Sequence, residues 1–293
     1  MQDLIAKAST LLEALPYIQK FSGETFVVKY GGSFMDSPDE AVRTSVARDI
    51  VFLEAVEINP VVVHGGGKAI TRAMEQAGLK AKFIQGQRVT DEAAVQIVDE
   101  VLSRAINPEV VKTINALGGQ AVGFAGPDIF QCKKLYLEDK ENPGRKIDIG
   151  YVGEVMEVRV AQLKESMWCG FTPVISPTAR GEEGKLYNCN ADVAAAMAAI
   201  ALKAKRLVFM SDVPGLMRDP KDPSTVIAHL SISEVPALKA AGIVDKGMIP
   251  KVDSAVAAIQ SGVEKVSFVD GRVPHAVLLE IFTDKGVGTE IVL

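Results

Sequence analysis

The 293-residue chain has little of what marks several common classes of protein. Its three cysteines, Cys132, Cys169 and Cys189, lie far apart with no Cys-x-x-Cys pair. That argues against a disulfide framework or a zinc site and fits a reducing cytoplasm. No block of lysine or arginine stands out and the net charge is −5, so nucleic acid is not an expected partner. No stretch approaches the roughly 18–20 uncharged apolar residues of a membrane span; the longest bland run, Ala191–Leu202, is mostly alanine and too short. Residues 1–20 include Asp3, Lys7 and Glu13, so they lack the apolar core of an export signal, which points to the cytoplasm. The Walker loop, Gly-x-x-x-x-Gly-Lys-Ser/Thr, is absent too.

What is present is a regular alternation of strand and helix patterns. Leu4, Ala8, Leu11, Leu12 and Leu15 fall at helical spacing, so an amphipathic helix is expected over 3–15, broken or kinked at Pro16. Phe26–Tyr30 reads as a strand, Ser37–Glu40 as a capping box opening a helix over 38–57, and Val61–His64 as a second strand. Helices follow at 68–77 and 91–106, then hairpin material over 121–158 and a buried strand at 172–176. An alanine-rich helix starts near 191, with strands at 206–210, 265–269 and 287–292 and helices at 232–241, 250–261 and 275–282. Alternation with continuously apolar strands predicts an α/β fold whose mainly parallel sheet is covered on both faces.

Two strand ends read alike: FVVKYGGS at 26–33 and VVVHGGGK at 61–68. Ligands of open parallel sheets bind beyond the carboxyl ends of the strands, where both clusters fall. Glycines let backbone N–H groups approach an anion, and Lys29 adds a positive charge beside Gly31 and Gly32. Read alone, that turn is equally a β-turn whose lysine reaches solvent. His64-Gly-Gly-Gly67 opens the next helix, whose N-terminus offers N–H groups to a carboxylate or phosphate; His64 itself reads as a satisfied strand-end residue. Arg88 precedes a helix with Thr90 or Asp91 as its N-cap, a place for a guanidinium fork on a carboxylate, or for a plain surface arginine. Asn188, Asn190 and Asp192 alternate, so in an extended segment they share a face, though Asp192 is also a candidate N-cap. Ser211–Leu216 forms a Pro-Gly turn at another strand end that aims Asp212 at the ligand side. Lys251 falls in the first turn of a helix, where the dipole disfavours it and an anionic ligand would justify it. Two lysines, an arginine, an aspartate and two glycine loops, without a Cys/His nucleophile pair or a histidine-rich cage, suit phosphoryl transfer, which rests on positioning and charge.

VVKYGGS, VVVHGGG, QRVTD, YNCNAD, SDVPGL and GMIPKVDSA, in that order, resemble the amino acid kinase family over nearly the whole chain. Within it they are most similar to the members that phosphorylate the γ-carboxylate of N-acetyl-L-glutamate in arginine synthesis. The resemblance implies a three-layer αβα sandwich with two lobes: a helix over 1–20 for oligomerisation, an amino-acid-substrate lobe over 21–204 and an ATP lobe over 205–293. Lys29 and Lys251 would stabilise the transferring phosphoryl group and Asp192 would orient them. Gly32, Gly66 and Gly67 would donate N–H groups to phosphate and substrate, Arg88 would hold the α-carboxylate, and Asn188 and Asn190 the acetamido group. Gly31, Ser211, Asp212, Gly215, Leu216, Gly247 and Met248 would line ATP, with Mg2+ carried on its phosphates rather than by protein ligands. The first helix and the segment 270–292 resemble an arginine-inhibited hexameric branch, with His275, Glu280, Gly286 and Gly288 as the arginine pocket. A PII-type signalling protein binds some photosynthetic relatives, and the sequence leaves that partner open. Three segments depart from the family pattern: QGQRVTD stands for NGLRVTD, Asp245-Lys246-Gly-Met for GGGM, and GFAGPD for GFSGKD. Other readings of the same motifs are a kinase for aspartate, glutamate, carbamate or uridylate, and an arginine sensor without turnover.

Overall fold

The computed structural model describes residues 1–31, 35, 37, 39–139, 141–244 and 247–293, with backbone alone at 3, 4, 6 and 7. Gly32, Pro38 and the Asp245–Lys246 departure lie outside the described residues.

Helix α1 (Gln2–Phe21) leads into β1 (Thr25–Tyr30), α2 (Glu40–Ala55), β2 (Asn59–His64) and α3 (Gly67–Gln76). A short hairpin follows, β3 (Lys82–Ile84) and β4 (Gln87–Val89), then α4 (Glu92–Asp99), a π-helical turn at Glu100–Ile106 and α5 (Asn107–Ala116). Next come β5 (Ala121–Phe124), α6 (Gly126–Ile129), β6 (Phe130–Glu138), β7 (Lys146–Val158), α7 (Val160–Trp168), β8 (Thr172–Ile175), β9 (Thr178–Arg180) and β10 (Leu186–Cys189). The chain closes with α8 (Ala191–Leu202), β11 (Arg206–Ser211), β12 (His229–Ser231), α9 (Val235–Ala240), α10 (Ile249–Gln260), β13 (Lys265–Asp270), α11 (Ala276–Ile281) and β14 (Thr289–Val292).

Eight strands form one sheet in the order β12-β14-β13-β11-β1-β2-β8-β5. Its inner strands are parallel, and the pair β13–β14 is antiparallel. Strand periodicity splits the core between its faces. Val27, Val61, Val63, Leu207 and Phe209 pack with residues of α8 and α10. Phe26, Val28, Val62, Val208 and Met210 pack with residues of α2, α5 and α11. Both layers of the expected sandwich are therefore present. Five alanines of α8 (194, 195, 196, 198 and 199) are buried, so this helix lies wedged among β1, β2, β7, β11 and α10.

Several expectations are corrected. Helix α1 runs through Pro16 to Phe21, because Tyr17 and Phe21 on its last turns have partners: Tyr17 meets Phe282 edge-on at 6.5 Å and Phe21 meets Phe26 at 5.1 Å. Helix α2 starts at Glu40 rather than 38, capped by Asp39, whose side chain accepts from Ala41 N. The helix expected to end at 106 continues to Ala116 through the π-helical turn. Pro108 explains the turn: its ring clashes with the carbonyl four residues back, and widening the preceding helix relieves the clash. In 121–158, β5 joins the large sheet, while β6 and β7 make a hairpin that closes a small barrel with β9 and β10.

Glycines mark close approaches. A Cβ on Gly288 would lie 1.9 Å from the Phe268 carbonyl oxygen, a backbone atom that cannot move aside. Gly288→Ala is expected to destabilise the protein by roughly 3 kcal/mol, lowering Tm by several degrees in a thermal melt.

Candidate active site

Lys29 lies on β1 two residues beyond Val27 and so faces the α8–α10 layer. Asp192 is in the first turn of α8 and Lys251 in the first turn of α10. The three side chains meet and are largely buried. Lys251 Nζ donates to Asp192 Oδ2 at 2.6 Å, and Lys29 Nζ stands 3.1 Å from Oδ1. The Lys29 contact has ion-pair distance without hydrogen-bond alignment, so charge holds it. Burial alone would push the Asp192 carboxyl up; the two ammonium groups outweigh it and hold it at about 2. Burial, with the charge of Lys29 beside it, pulls the Lys251 ammonium below its ordinary value, against the pull of Asp192. Two cations share one anion, which leaves one net positive charge in a place poor in water. This also accounts for a lysine at a helix N-terminus: Asp192 compensates it.

The glycine loops close over this cluster. A Cβ on Gly31 would lie 3.0 Å from Lys29 Nζ and 3.2 Å from Gly65 N. Gly65 N donates to Tyr30 O at 2.7 Å, so the two strand ends pack backbone to backbone above the Lys29 ammonium. A side chain on Gly66 would strike Ile106 Cδ1 at 2.5 Å and Leu102 Cδ2 at 2.7 Å, both on the π-helical turn. Gly67 opens α3 into free space.

His64 is the satisfied strand-end residue that the pattern suggests. Asn107 Nδ2 donates to Val174 O at 2.9 Å and reaches His64 Nε2 at 3.2 Å. An amide nitrogen only donates, so Nε2 accepts, and Nδ1–H donates to Gly65 O at 3.0 Å. Burial pushes the imidazole down to about 4, so it is neutral at pH 7 and pins the second glycine loop. Arg88 sits on β4, only 7% exposed. It donates to Gly67 O at 3.0 Å and Thr71 Oγ1 at 2.9 Å, and burial lowers its pKa. The helix after it is capped by Asp91, which accepts from Ala94 N.

The expected shared face of Asn188, Asn190 and Asp192 is only partly present. Asn188 lies on β10 and donates to Thr90 Oγ1 at 3.3 Å. Asn190 is the N-cap of α8, accepting from Asp192 N at 2.8 Å and Val193 N at 3.3 Å, so the cap is Asn190 and Asp192 is free to serve the lysines. On the other side of the site, Ser211 closes a turn with Val213, and Gly215 and Leu216 fold onto Thr289, whose hydroxyl accepts from Leu216 N at 2.8 Å. Leu216 is buried in the core, whereas Asp212 and Gly247 are exposed and Met248 half-buried.

His275 precedes α11, Glu280 lies on it and Gly286 packs against Glu280, whereas Gly288 packs on β13 against Phe268. His275 Nδ1 pairs with Asp49 at 2.6 Å, and its backbone N–H donates to Ser45. Burial pushes the Asp49 carboxyl up to about 6, against the pull of His275. Glu280 accepts from Val287 N at 3.0 Å and lies against Gly286, so it closes its own loop. Asn107, Asp49 and Thr289 are supporting residues with no sequence signal, because each acts through partners far away along the chain, and Thr90, a candidate cap in the sequence, bonds Asn188 instead.

A buried cluster with surplus positive charge, roofed by glycine backbone at the carboxyl edge of a parallel sheet, defines a protein that handles transferable anions. Residues 24–270 match the amino acid kinase family, and the chain belongs to it. It is similar to the acetylglutamate kinase of Heliobacterium modesticaldum, 46% identical over 295 residues and 99% of each chain. The acetylglutamate kinase of Geobacter metallireducens is 48% identical over 296 residues, again 99% of each. Among solved structures, N-acetylglutamate synthase from Neisseria gonorrhoeae complexed with coenzyme A and N-acetyl-glutamate superposes with a TM-score of 0.82 at 24% identity, over 98% of this chain and 63% of that one. Carbamate kinase from Giardia lamblia bound to AMP-PNP gives 0.64 at 16%, over 92% and 98%. At those identities the structures speak for the fold alone.

The His64 geometry carries a pH prediction. Its folded-state pKa is depressed, so its contribution is complete above pH 6.5 and is lost as pH falls towards 4. That lost contribution amounts to roughly 3 kcal/mol. Urea unfolding of the wild type and His64→Asn at pH 7 and pH 5 should show a steeper fall in the wild type.

Proposed function

We propose that the chain transfers the γ-phosphoryl group of MgATP to the γ-carboxylate of N-acetyl-L-glutamate, giving N-acetyl-L-glutamyl 5-phosphate in arginine biosynthesis. The observation that carries the proposal is the Lys29–Asp192–Lys251 cluster under the Gly31 and Gly65 backbone. Full-length likeness to acetylglutamate kinases selects the substrate.

The chemistry suits the cluster. A carboxylate is already ionised at pH 7, so the attacking oxygen needs no general base. The difficulty is that one anion must approach another. The carboxylate oxygen forms a bond to the γ-phosphorus as the bond to the β,γ-bridging oxygen breaks and ADP leaves with the electron pair. Charge moves from one side of the phosphoryl group to the other while Lys29 and Lys251 stay beside it. Asp192 keeps the two ammonium groups from repelling each other and fixes their separation. The N–H groups of Gly66 and Gly67 would hold the acceptor and the phosphoryl oxygens, Arg88 the α-carboxylate, and Asn188 with Asn190 the acetamido side. Gly31, Ser211, Asp212, Gly215, Gly247 and Met248 would border the nucleotide, Leu216 supporting them from the core. Mg2+ would enter on the phosphates of ATP and neutralise part of their charge.

On this reading 21–204 is the substrate lobe and 205–293 the ATP lobe of a cytoplasmic enzyme. Feedback inhibition by arginine, bound around His275, Glu280, Gly286 and Gly288, is the regulatory part of the proposal. Leu11 and Leu12 on α1 are 69% and 66% exposed, and with Ile5 and Leu15 they supply an apolar flank for a hexameric contact. A PII-type protein remains a further candidate partner.

ADP release from MgATP should occur with N-acetyl-L-glutamate and not with glutamate, aspartate, carbamate or UMP. Turnover on one of the others would reassign the substrate; none on any, with arginine still bound, would favour a sensor. Lys251→Ala should lose at least about 100-fold in kcat, the scale of one transition-state charge contact, with circular dichroism unchanged. Near wild-type turnover would remove Lys251 from the mechanism.

A further inference from the structure

Phe83 is 55% exposed, yet it is not a stray surface apolar residue. It stands directly opposite Arg88 in the β3–β4 ladder, so both side chains share one face of the hairpin. The Arg88 guanidinium carbon lies 4.7 Å from the centre of the Phe83 ring. Its N–H groups meet α3 along the length of the helix: Gly67 O, Thr71 Oγ1 and Met74 Sδ. One face of it lies over an aromatic ring while its N–H groups are bonded along a helix.

The hairpin that presents Phe83 is itself fixed. Its two turn residues, Gln85 and Gly86, both have positive φ (49° and 81°), as a tight two-residue hairpin turn requires. Gln85, which departs from the family's asparagine at a position unfavourable for its long side chain, donates from Nε2 to Glu138 O at 2.7 Å. That bond ties the turn to the end of β6. Beyond β4, Thr90 exchanges backbone hydrogen bonds with Ile149 and Tyr151 of β7. The register that sets Phe83 against Arg88 is thus held at both ends.

We propose that Phe83 is a positioning residue for the substrate: its ring orients the Arg88 guanidinium and screens it from water on the side where a carboxylate would dock. The proposal rests on the reading of Arg88 as the α-carboxylate ligand. A guanidinium held flat on an aromatic face keeps its fork in one plane, and removing water from one side strengthens a carboxylate pair formed at its edge. Leucine would fill similar space without the electron-rich face, so ring and bulk are separable.

The test compares wild type, Phe83→Leu, Phe83→Tyr, Arg88→Ala and the double variant Phe83→Leu/Arg88→Ala in the MgATP-dependent phosphorylation of N-acetyl-L-glutamate. Phe83→Leu should lower kcat/KM about 5- to 30-fold, the scale of a largely desolvated cation–π contact, through KM for the acceptor with KM for ATP unchanged. Phe83→Tyr should restore it. Arg88→Ala should lose about 100-fold, the size of a lost charged hydrogen bond, and adding Phe83→Leu to it should lose nothing more. Equal losses from Phe83→Leu in both backgrounds, or an unchanged acceptor KM in Phe83→Leu, would overturn the proposal while leaving Arg88 in its role. A wild-type acceptor KM in Arg88→Ala would instead overturn the role of Arg88 and the proposal with it.

Discussion

The arrangement depends on one carboxylate shared by two lysines. Asp192 draws Lys29 from β1 and Lys251 from α10 to the start of α8, three elements far apart in sequence. Taking three charges out of water is costly, and removing one partner of such a set typically costs about 3–5 kcal/mol because a buried charge is left uncompensated. The set is also unbalanced by one positive charge, which a packed core alone has no reason to keep. A passing anion is the natural counterweight. The surroundings follow from that need: alanines let α8 lie close to the sheet, Asn190 caps it so that its end is closed without Asp192, and Gly31 leaves room for the lysine beneath.

Much of the fold was readable. The mostly apolar runs at 26–30, 61–64 and 207–210 are buried on both faces, as their composition indicates, and they form the centre of the sheet. What was hidden has local physical causes. The helix through Pro16 survives because Tyr17 and Phe21 have packing partners that a propensity argument cannot see. The helix through Pro108 survives by widening into a π turn, a change in hydrogen-bond register with no composition of its own. The entry into antiparallel β14 passes so close to β13 that only a glycine fits at 288, against the Phe268 backbone.

The site was legible in its charged members and less so in its polar ones. Lys251 stood out because a lysine in a first helical turn demands an explanation, and Asp192 supplies it. Asn190 was harder, since an asparagine ahead of a helix is ambiguous between cap and ligand until the hydrogen bonds are seen. His64 illustrates the opposite case. A histidine beside three glycines invites a catalytic role, yet its two nitrogens are occupied by Asn107 and Gly65, and its function is to hold the loop in shape. Around α11 the residues that resemble an effector pocket also have structural employment, as Glu280 does in closing the 283–287 turn.

The alanine content of α8 has a mechanical meaning. Its five buried alanines have no rotamers to exchange, so over that stretch the helix cannot repack in small steps as a leucine-rich one can. The carboxylate at its tip is therefore a fixed point to which Lys29 and Lys251 are drawn. When substrates of different shape come and go, adjustment falls to parts outside that rod rather than to the rod itself. The molecule is built around an anvil that decides where charge is placed and leaves shape to be met around it.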